Sequence, residues 1–309
     1  MSLLSMAAMY FTSRLVLLVL VSLYAAVAGL FLAFRANPQN PRLRSKLLLT
    51  VFSLATASWI FIGSSLVLCK VFEGMYYYHG AEAVTMVLGG SLFATLVIGV
   101  PVSLFMGTRV PSLVLRRLEK QLSEPHESTS VLMNRMVSVL GLGEVHLYRY
   151  SGSVPFAFSL GGKRNVVVIS GGLEENLDRD ELETVLTHEL GHLKNMDTLL
   201  NALITVYRRL LFFDPLIRFL EGIIHKEREF ACDDISARTT RKPLALASAL
   251  IKIHSAAADA RPPGAFLAGN IGLHGNRALK ERIDRLLRIS EELDQAHHGS
   301  LSQRNSEAS

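Results

Sequence analysis

The chain has 309 residues, of which 50% are hydrophobic, and its mean hydropathy is +0.30. This composition is too apolar for an ordinary soluble domain and is typical of a membrane protein with a soluble part. The formal net charge is +5 at pH 7. Because the basic residues flank the apolar runs, we expect this charge to face a lipid bilayer, and we predict no nucleic-acid partner.

Three uncharged apolar runs, at residues 15–34, 47–69 and 83–108, come first along the chain. Each is long enough to cross a bilayer as a helix. A cleaved signal peptide is the alternative for the first run, but this run is long for such a segment and lacks a small-residue cleavage site. We therefore predict a three-span transmembrane region over residues 1–108.

Basic residues on the flanks of these runs predict the orientation of the protein. The first loop carries four of them and no acid, namely Arg35, Arg42, Arg44 and Lys46. Residues 109–125 form a predicted basic juxtamembrane helix, which suits contact with anionic lipid. Three crossings place both segments on one side, so we predict a multi-pass protein of the cell (inner) membrane whose domain after residue 125 is cytoplasmic.

The following segment, residues 126–290, shows the pattern of a folded domain with helices and a small β-sheet. The pattern predicts a helix at 131–140, a strand at 145–150 and a hairpin of strands 155–160 and 165–170. Asp178 and Glu181 form a predicted capping box at the start of a further helix. The fold class is thus α+β, with N-terminal transmembrane helices followed by a mainly helical domain.

That helix carries the pentapeptide His188-Glu189-Leu190-Gly191-His192. Two imidazoles four residues apart lie on the same helical face and can bind one Zn²⁺ ion. Zinc lowers the pKa of a water that it binds, and the intervening Glu can accept the proton. The alternative is an ordinary amphipathic helix with solvated His and Glu side chains, but the cap and the apolar stripe favour a zinc peptidase.

A catalytic zinc needs a third protein ligand, and the sequence offers one downstream. Glu229 and Asp233 are four residues apart on a second predicted helix and share a face. Glu229 can bind the metal, while Asp233 can accept a hydrogen bond from the far ring nitrogen of a ligand His. A solvated acidic helix face is the alternative.

The remaining segments have structural predictions only. Residues 199–224 are apolar but interrupted by charges, so we predict a membrane-associated helical hairpin, with a fourth span as the alternative. Residues 243–258 form a predicted packing helix. Residues 291–309 are polar and poor in apolar residues, which predicts a disordered tail.

The HELGH pentapeptide together with Glu229-Phe230-Ala231-Cys232-Asp233 resembles the gluzincin membrane metallopeptidases. The similarity spans roughly Val154 to Leu287. Since only 41 residues separate the first His from Glu229, the chain most closely resembles the BlaR/MecR antibiotic-sensor peptidases. The HtpX heat-shock proteases and the CAAX prenyl proteases are more distant. This family likeness implies a zincin fold for residues 126–290.

The resemblance also implies the residues of a metal centre that holds one Zn²⁺ ion per chain. His188, His192 and Glu229 match the metal ligands of the family, and Glu189 matches its general base. Asp233 matches a carboxylate behind the ligands, and Asp197 matches an Asp commonly found after the pentapeptide.

The sequence also offers candidates for an oxyanion donor and for a substrate-binding strand. The oxyanion of a tetrahedral intermediate needs a donor, for which the candidates are His274 and Arg282, with His225 and His254 as alternatives. Phe156, Ala157 and Phe158 resemble the edge strand on which such peptidases bind substrate. A plain core hairpin is the alternative for this strand.

We therefore expect a membrane zinc metalloendopeptidase that cleaves cytoplasmic or membrane-associated proteins in regulatory proteolysis. Its substrate would be a transcriptional repressor or a membrane protein. The alternatives are HtpX-like quality control of membrane proteins and a zinc-binding scaffold without turnover, although a scaffold has no need of Glu189. No penicillin-binding sensor domain follows Arg288, so we do not expect direct sensing of β-lactams.

Overall fold

A computed structural model describes residues 25–30, 32, 41, 43–53, 105, 115–162, 164–197, 204, 215–257 and 276–307. The chain divides into two compact units. The first comprises Met1–Met106 with Leu203–Glu227, and the second comprises Gly107–Ala202 with Arg228–Ser309.

In the first unit, residues 43–53 are helical and pack in an apolar cluster with residues from two other segments. The buried members of this cluster are Ala26, Leu48, Val51, Phe52, Ile204, Leu220 and Ile224. Arg44 Nη2 lies 2.9 Å from Glu227 Oε1, and both side chains are largely shielded from solvent. Residues 203–227 thus belong to the same unit as the three predicted spans.

The predicted spans at 15–34, 47–69 and 83–108 lie largely outside the described residues, as does much of the predicted hairpin at 199–224. Within the described ranges, no helix is both long enough and apolar enough to traverse a bilayer. The three-span region and the membrane hairpin therefore stay predictions.

The second unit contains a mixed four-stranded sheet. Its strands are β1 (Leu122–Ser123), β2 (Val145–Tyr150), β3 (Ala157–Leu160) and β4 (Asn165–Ser170), in the order β1-β2-β4-β3. The central pair β2 and β4 is parallel, and the outer strands are antiparallel to their neighbours. The predicted strand at 145–150 and the predicted hairpin are confirmed, and β3 ends the sheet.

Helices make up most of this unit, which confirms a mainly helical fold with a small sheet. They are α1 (Glu127–Leu140), α2 (Gly171–Asn176), α3 (Arg179–Lys194), α4 (Pro215–Thr240, in this unit from residue 228), α5 (Pro243–Ala257) and α6 (Asn276–Glu307). The predicted capping box starts α3: the Asp178 side chain accepts from the backbone N–H groups of residues 180 and 181, and Glu181 Oε2 accepts from the Asp178 N–H at 2.9 Å.

The two faces of the sheet bury different apolar clusters. Ala157, Val167 and Ile169 belong to the main core with residues of α1, α3, α5 and α6. Phe158 and Val168 point to the other face, where they pack with Leu118. Because successive strand residues face opposite sides, Ala157 and Ser159 of β3 share the face on which α3 lies.

The predicted disordered tail from residue 291 is wrong over most of its length, because α6 continues to Glu307. The reason is tertiary contact that composition does not reveal. Leu293 packs against the main core, and Glu292 Oε2 accepts a hydrogen bond from Arg238 Nη2 at 2.7 Å. These contacts account for the helix as far as Leu293.

Candidate metal centre

Helices α3 and α4 bring the three predicted ligands together in the interior of the second unit. His188 Nε2 lies 3.5 Å from Glu229 Oε2, and His192 Nε2 lies 3.5 Å from Glu229 Oε1. One ligand atom from each of the three side chains falls within 4.8 Å of the others. The structure thus gathers these side chains around one point.

The donor atoms fit a metal ion. The Nε2 atoms of His188 and His192, together with Glu189 Oε1, are buried without a hydrogen-bond partner within the described chain, and Glu229 Oε2 has an ion pair with Arg282 but no hydrogen bond. Buried polar atoms are normally paired, so these atoms in one place call for a ligand. Donor atoms around a tetrahedral zinc with bonds near 2.05 Å lie about 3.3 Å apart. This is close to the 3.5 Å between each histidine Nε2 and its nearest Glu229 oxygen.

Gly191 accounts for the close approach of the two helices. A Cβ atom at this position would lie 3.3 Å from Cys232 Sγ and 3.4 Å from Cys232 Cα on α4. A Cβ atom would therefore press mainly on the Cys232 side chain, since its distance to the Cα is that of ordinary van der Waals contact. The glycine in the pentapeptide therefore lets Glu229 reach the two histidines.

Each predicted ligand histidine is backed by a carboxylate. His188 Nδ1 forms an ion pair with Asp233 Oδ1 at 2.9 Å, and His192 Nδ1 forms a hydrogen bond with Asp197 Oδ2 at 2.7 Å. Contacts of this kind orient the ring and leave Nε2 for a metal. Asp197 reaches its place because α3 ends at Lys194 and Met196 turns the chain with a left-handed φ of 56°.

Arg282 reaches the centre from α6 and is buried there. Its Nε and Nη2 atoms donate to Asp233 at 2.7 and 2.6 Å, and its Nη1 atom lies 3.0 Å from Glu229 Oε2. All three guanidinium nitrogens thus face carboxylates of the centre. Its predicted role as an oxyanion donor stays a prediction.

The electrostatics of the centre favour a cation at the ligand atoms. Burial lowers the pKa of His188, but interactions with Asp233 and Glu229 outweigh this effect and raise it to about 9. For Glu229, burial raises the pKa, but Arg282 and the histidines hold it well below the usual range. A proton or a metal ion therefore neutralises this carboxylate-rich site.

The general-base candidate has a different environment. Burial raises the pKa of Glu189, although the nearby histidines and a hydrogen bond with the Ser159 side chain oppose the rise. Its carboxylate is buried next to the ligand set, and one oxygen, Oε1, has no hydrogen-bond partner among the described residues. An elevated pKa suits a group that must accept and then return a proton.

Cys232 is close to the centre and, with His192 and Asp197, forms a second group of side chains that could hold a metal ion. Its Sγ lies 3.3 Å from His192 Nδ1 and 3.9 Å from Asp197 Oδ2. Burial raises the pKa of the thiol well above its usual range, and the neighbouring carboxylates add to this. Arg228 Nη2 lies 2.7 Å from Asp197 Oδ1, so a second cation beside that carboxylate would be repelled.

The other predicted site residues have the following locations. Ala157 and Phe158 lie in the sheet's edge strand β3, and Phe156 directly precedes it; all three are buried. Their predicted role in substrate binding stays a prediction. His274 lies outside the described residues. His254 Nε2 lies 2.9 Å from Asn276 Oδ1, and His225 belongs to the first unit.

Two contacts of the centre are absent from the sequence-based prediction. Arg228, beside Glu229, pairs with Asp197, and Ser159 of β3 contacts Glu189. The strand alternation could have indicated Ser159, because it shares with Ala157 the face that packs on α3. The partner of Arg228 lies 31 residues upstream, and nothing in the local pattern links the two.

The chain is similar to several known proteases. A Protease HtpX homolog of Gemmatimonas aurantiaca is 27% identical over 225 residues, which cover 61% of this chain and 81% of that protein. The homologs of Pyrococcus abyssi and Salinibacter ruber are 37% and 35% identical over 33% of this chain, and the chain spans 48% and 47% of them, about half their length.

The family profile described as BlaR1 peptidase M56 matches residues 89–286, which is more than half of the chain. This range includes the pentapeptide on α3, the acidic pair on α4 and Arg282 on α6. By this match, the chain belongs to the BlaR1 peptidase M56 family.

Proposed function

We propose that this chain is a membrane zinc metalloendopeptidase with one Zn²⁺ ion per molecule. His188, His192 and Glu229 bind the ion, and Glu189 is the general base. The peptidase domain covers residues 126–290, and residues 1–108 anchor it in the membrane. The observation that carries this proposal is the convergence of ligand atoms of His188, His192 and Glu229 within 4.8 Å of one another, where both Nε2 atoms and Glu189 Oε1 are buried without a hydrogen-bond partner among the described residues.

The residues of the centre have different chemical roles. A bound zinc ion activates water and polarises the scissile carbonyl. Glu189 accepts a proton from the attacking water and delivers it to the leaving amine, for which its raised pKa is suited. Asp233 and Asp197 hold the ligand imidazoles through their Nδ1 atoms. Burial of the whole centre excludes bulk water from these contacts.

The first experiment compares the wild type with Glu189→Gln, both purified in detergent, by metal analysis and by cleavage of casein. We expect both proteins to hold one zinc and only the wild type to cleave, with a rate loss of about 100-fold or more in the variant. Glu183→Gln is the control, because Glu183 is another buried carboxylate of α3 but pairs with Arg135 and Lys242 outside the centre.

Two results would contradict the proposal. Absence of stoichiometric zinc from the wild type would contradict the ligand assignment. Equal cleavage by the wild type and Glu189→Gln would remove Glu189 as the base. Zinc in both proteins with cleavage by neither would favour the scaffold, which is the non-catalytic alternative.

We propose regulatory proteolysis as the biological role, in which the peptidase cleaves a cytoplasmic repressor or a membrane-associated protein. The family match and the short spacing between the two metal-binding helices support this role. Quality control of membrane proteins is the second candidate, because the curated relatives named above are HtpX homologs.

Substrate trapping separates these roles. Glu189→Gln expressed in the native host, followed by crosslinking and mass spectrometry, should retain one or a few defined proteins if the role is regulatory. Capture of many unrelated membrane proteins would favour quality control.

The membrane location is part of the proposal. The apolar runs and the basic flanks support a multi-pass protein of the cell membrane with a cytoplasmic active site. Arg116, Arg117 and Lys120 are exposed, whereas the neighbouring Leu118 is buried in an apolar cluster. This arrangement suits contact of the three basic side chains with anionic headgroups.

A further inference from the structure

Arg228 lies in α4 immediately before the proposed ligand Glu229, and its side chain is buried. Its Nη2 atom is 2.7 Å from Asp197 Oδ1. The other oxygen of that carboxylate, Oδ2, is 2.7 Å from His192 Nδ1. A guanidinium, a carboxylate and an imidazole thus form a continuous chain that ends at the metal-facing Nε2 atom of His192.

The second ligand histidine has an equivalent chain. Arg282 of α6 donates to both oxygens of Asp233, and Asp233 Oδ1 lies 2.9 Å from His188 Nδ1. The two arginines come from different helices, so the repetition does not follow from local sequence. Both histidines therefore have a carboxylate behind the ring and a buried arginine behind the carboxylate, with Arg282 also in contact with Glu229.

Burying a guanidinium costs several kcal/mol unless its charge is well paired. A core of apolar residues would pack these helices at least as well, so packing alone does not explain two buried arginines. The pairing does have a geometric effect at Asp197. Because Arg228 occupies Oδ1, the carboxylate is held with Oδ2 on the imidazole, which keeps the ring from turning its Nε2 away.

We propose that Arg228 is a positioning residue of the metal centre, which anchors Asp197 and thereby holds His192 in the orientation that retains the metal. This inference rests on the proposed zinc peptidase and names a residue that controls its metal retention. Residues that orient metal ligands typically change metal affinity by about 10- to 100-fold when they are lost.

The test uses the full-length protein in detergent and follows the transfer of zinc to a chromophoric chelator. We expect Arg228→Met to release zinc about 10- to 100-fold faster than the wild type. The zinc release rate of Arg228→Lys should lie between those of the wild type and Arg228→Met, since an ammonium keeps the charge but not the planar fork of the guanidinium. The thermal midpoint of each protein is measured in parallel.

Arg285→Met is the matched control. Arg285 lies in α6 and pairs with Asp234 of α4 through two hydrogen bonds of 2.8 Å, and this pair involves neither a ligand histidine nor its supporting carboxylate. Its loss removes an Arg–Asp pair between helices of the same unit. We expect this variant to lose thermal stability but to release zinc at the wild-type rate.

Two results would overturn the proposal. One is wild-type zinc release from Arg228→Met. The other is equal acceleration in Arg228→Met and Arg285→Met at matched thermal midpoints, which would make the arginine merely structural. If Arg228→Met fails to fold, the zinc release rate of Arg228→Lys is the deciding measurement. A wild-type rate in that variant would contradict the proposal. A wild type that binds no zinc at all would instead refute the proposed function.

Discussion

His188 is the side chain whose protonation responds most directly to the state of the centre. In the metal-free protein its pKa is raised from 6.5 to about 9, because the interactions with Asp233 and Glu229 outweigh the opposing effect of burial. The folded state therefore binds the proton more tightly than the unfolded state does. This stabilisation is complete below about pH 6.5 and is lost as the pH rises through about 9.

We therefore expect the thermal midpoint of the chelator-treated protein to fall between about pH 6.5 and 9. The measurement is a series of thermal denaturation curves across this range. His188→Gln is the control and should show a shallower dependence, since it lacks the titrating ring. Equal slopes for the two proteins would contradict the assignment.

At the residue scale, short-range chemistry is predictable from the sequence and long-range pairing is not. The four-residue spacing of the histidines, and of Glu229 and Asp233, is enough to indicate shared helical faces. In contrast, the placement of Arg282 on Asp233 depends on a contact between helices whose residues are 49 positions apart. No local periodicity contains that information.

At the scale of elements, the crossing of α3 and α4 is set by Gly191. Replacing this glycine with alanine raises intrinsic helix propensity by about 1 kcal/mol. The new Cβ, however, would lie 3.3 Å from Cys232 Sγ and 3.4 Å from its Cα. Only the Sγ distance is tighter than ordinary van der Waals contact, so the Cys232 side chain must give by a few tenths of an ångström.

We expect Gly191→Ala to weaken zinc binding by about tenfold, while the free energy of unfolding changes by less than about 1 kcal/mol because the two effects oppose each other. Competition with a chelator measures the affinity. Gly222→Ala is the control: it lies in the same helix as Cys232, its Cβ would meet no atom within 4 Å, and zinc binding should be unchanged. Unaltered zinc affinity in Gly191→Ala would show that the close approach is not required.

Element boundaries follow from the sequence where capping chemistry is explicit. The capping box at Asp178 and Glu181 locates the start of α3, and alternation locates β2 and the hairpin. The prediction fails at the end of α6, where polar composition indicates disorder but Leu293 and Glu292 have partners in the folded unit. Composition describes a segment alone, whereas helix stability depends on what the segment contacts.

At the scale of the whole second unit, the centre concentrates buried charge. It holds four buried carboxylates, namely Glu189, Asp197, Glu229 and Asp233, but only two buried guanidinium groups among the described residues, Arg228 and Arg282. A divalent cation would balance the remaining two negative charges if all four carboxylates are ionised and both histidines are neutral. Removing the cation leaves like charges together at low dielectric, which is costly.

Metal removal should therefore destabilise the protein. Ligand held at about 1,000 times its dissociation constant stabilises a fold by about 4 kcal/mol, which corresponds to a rise in thermal midpoint of roughly 10 °C for a domain of this size. We expect 1,10-phenanthroline to lower the thermal midpoint by roughly 10 °C. Added zinc should restore it. His188→Ala should respond to neither reagent, and an unresponsive wild type would contradict the metal centre.

The distance along the chain between His188 and Arg282 also bears on how the protein is made. It follows His188 by 94 residues, so a ribosome adding about 5 to 20 residues per second completes the interval in roughly 5 to 20 s. During that interval a nascent chain has both histidines, and later Glu229, but not the arginine that pairs with Asp233 and Glu229. The centre can be completed only after Arg282 has been added, which delays its full assembly until this part of α6 has been made.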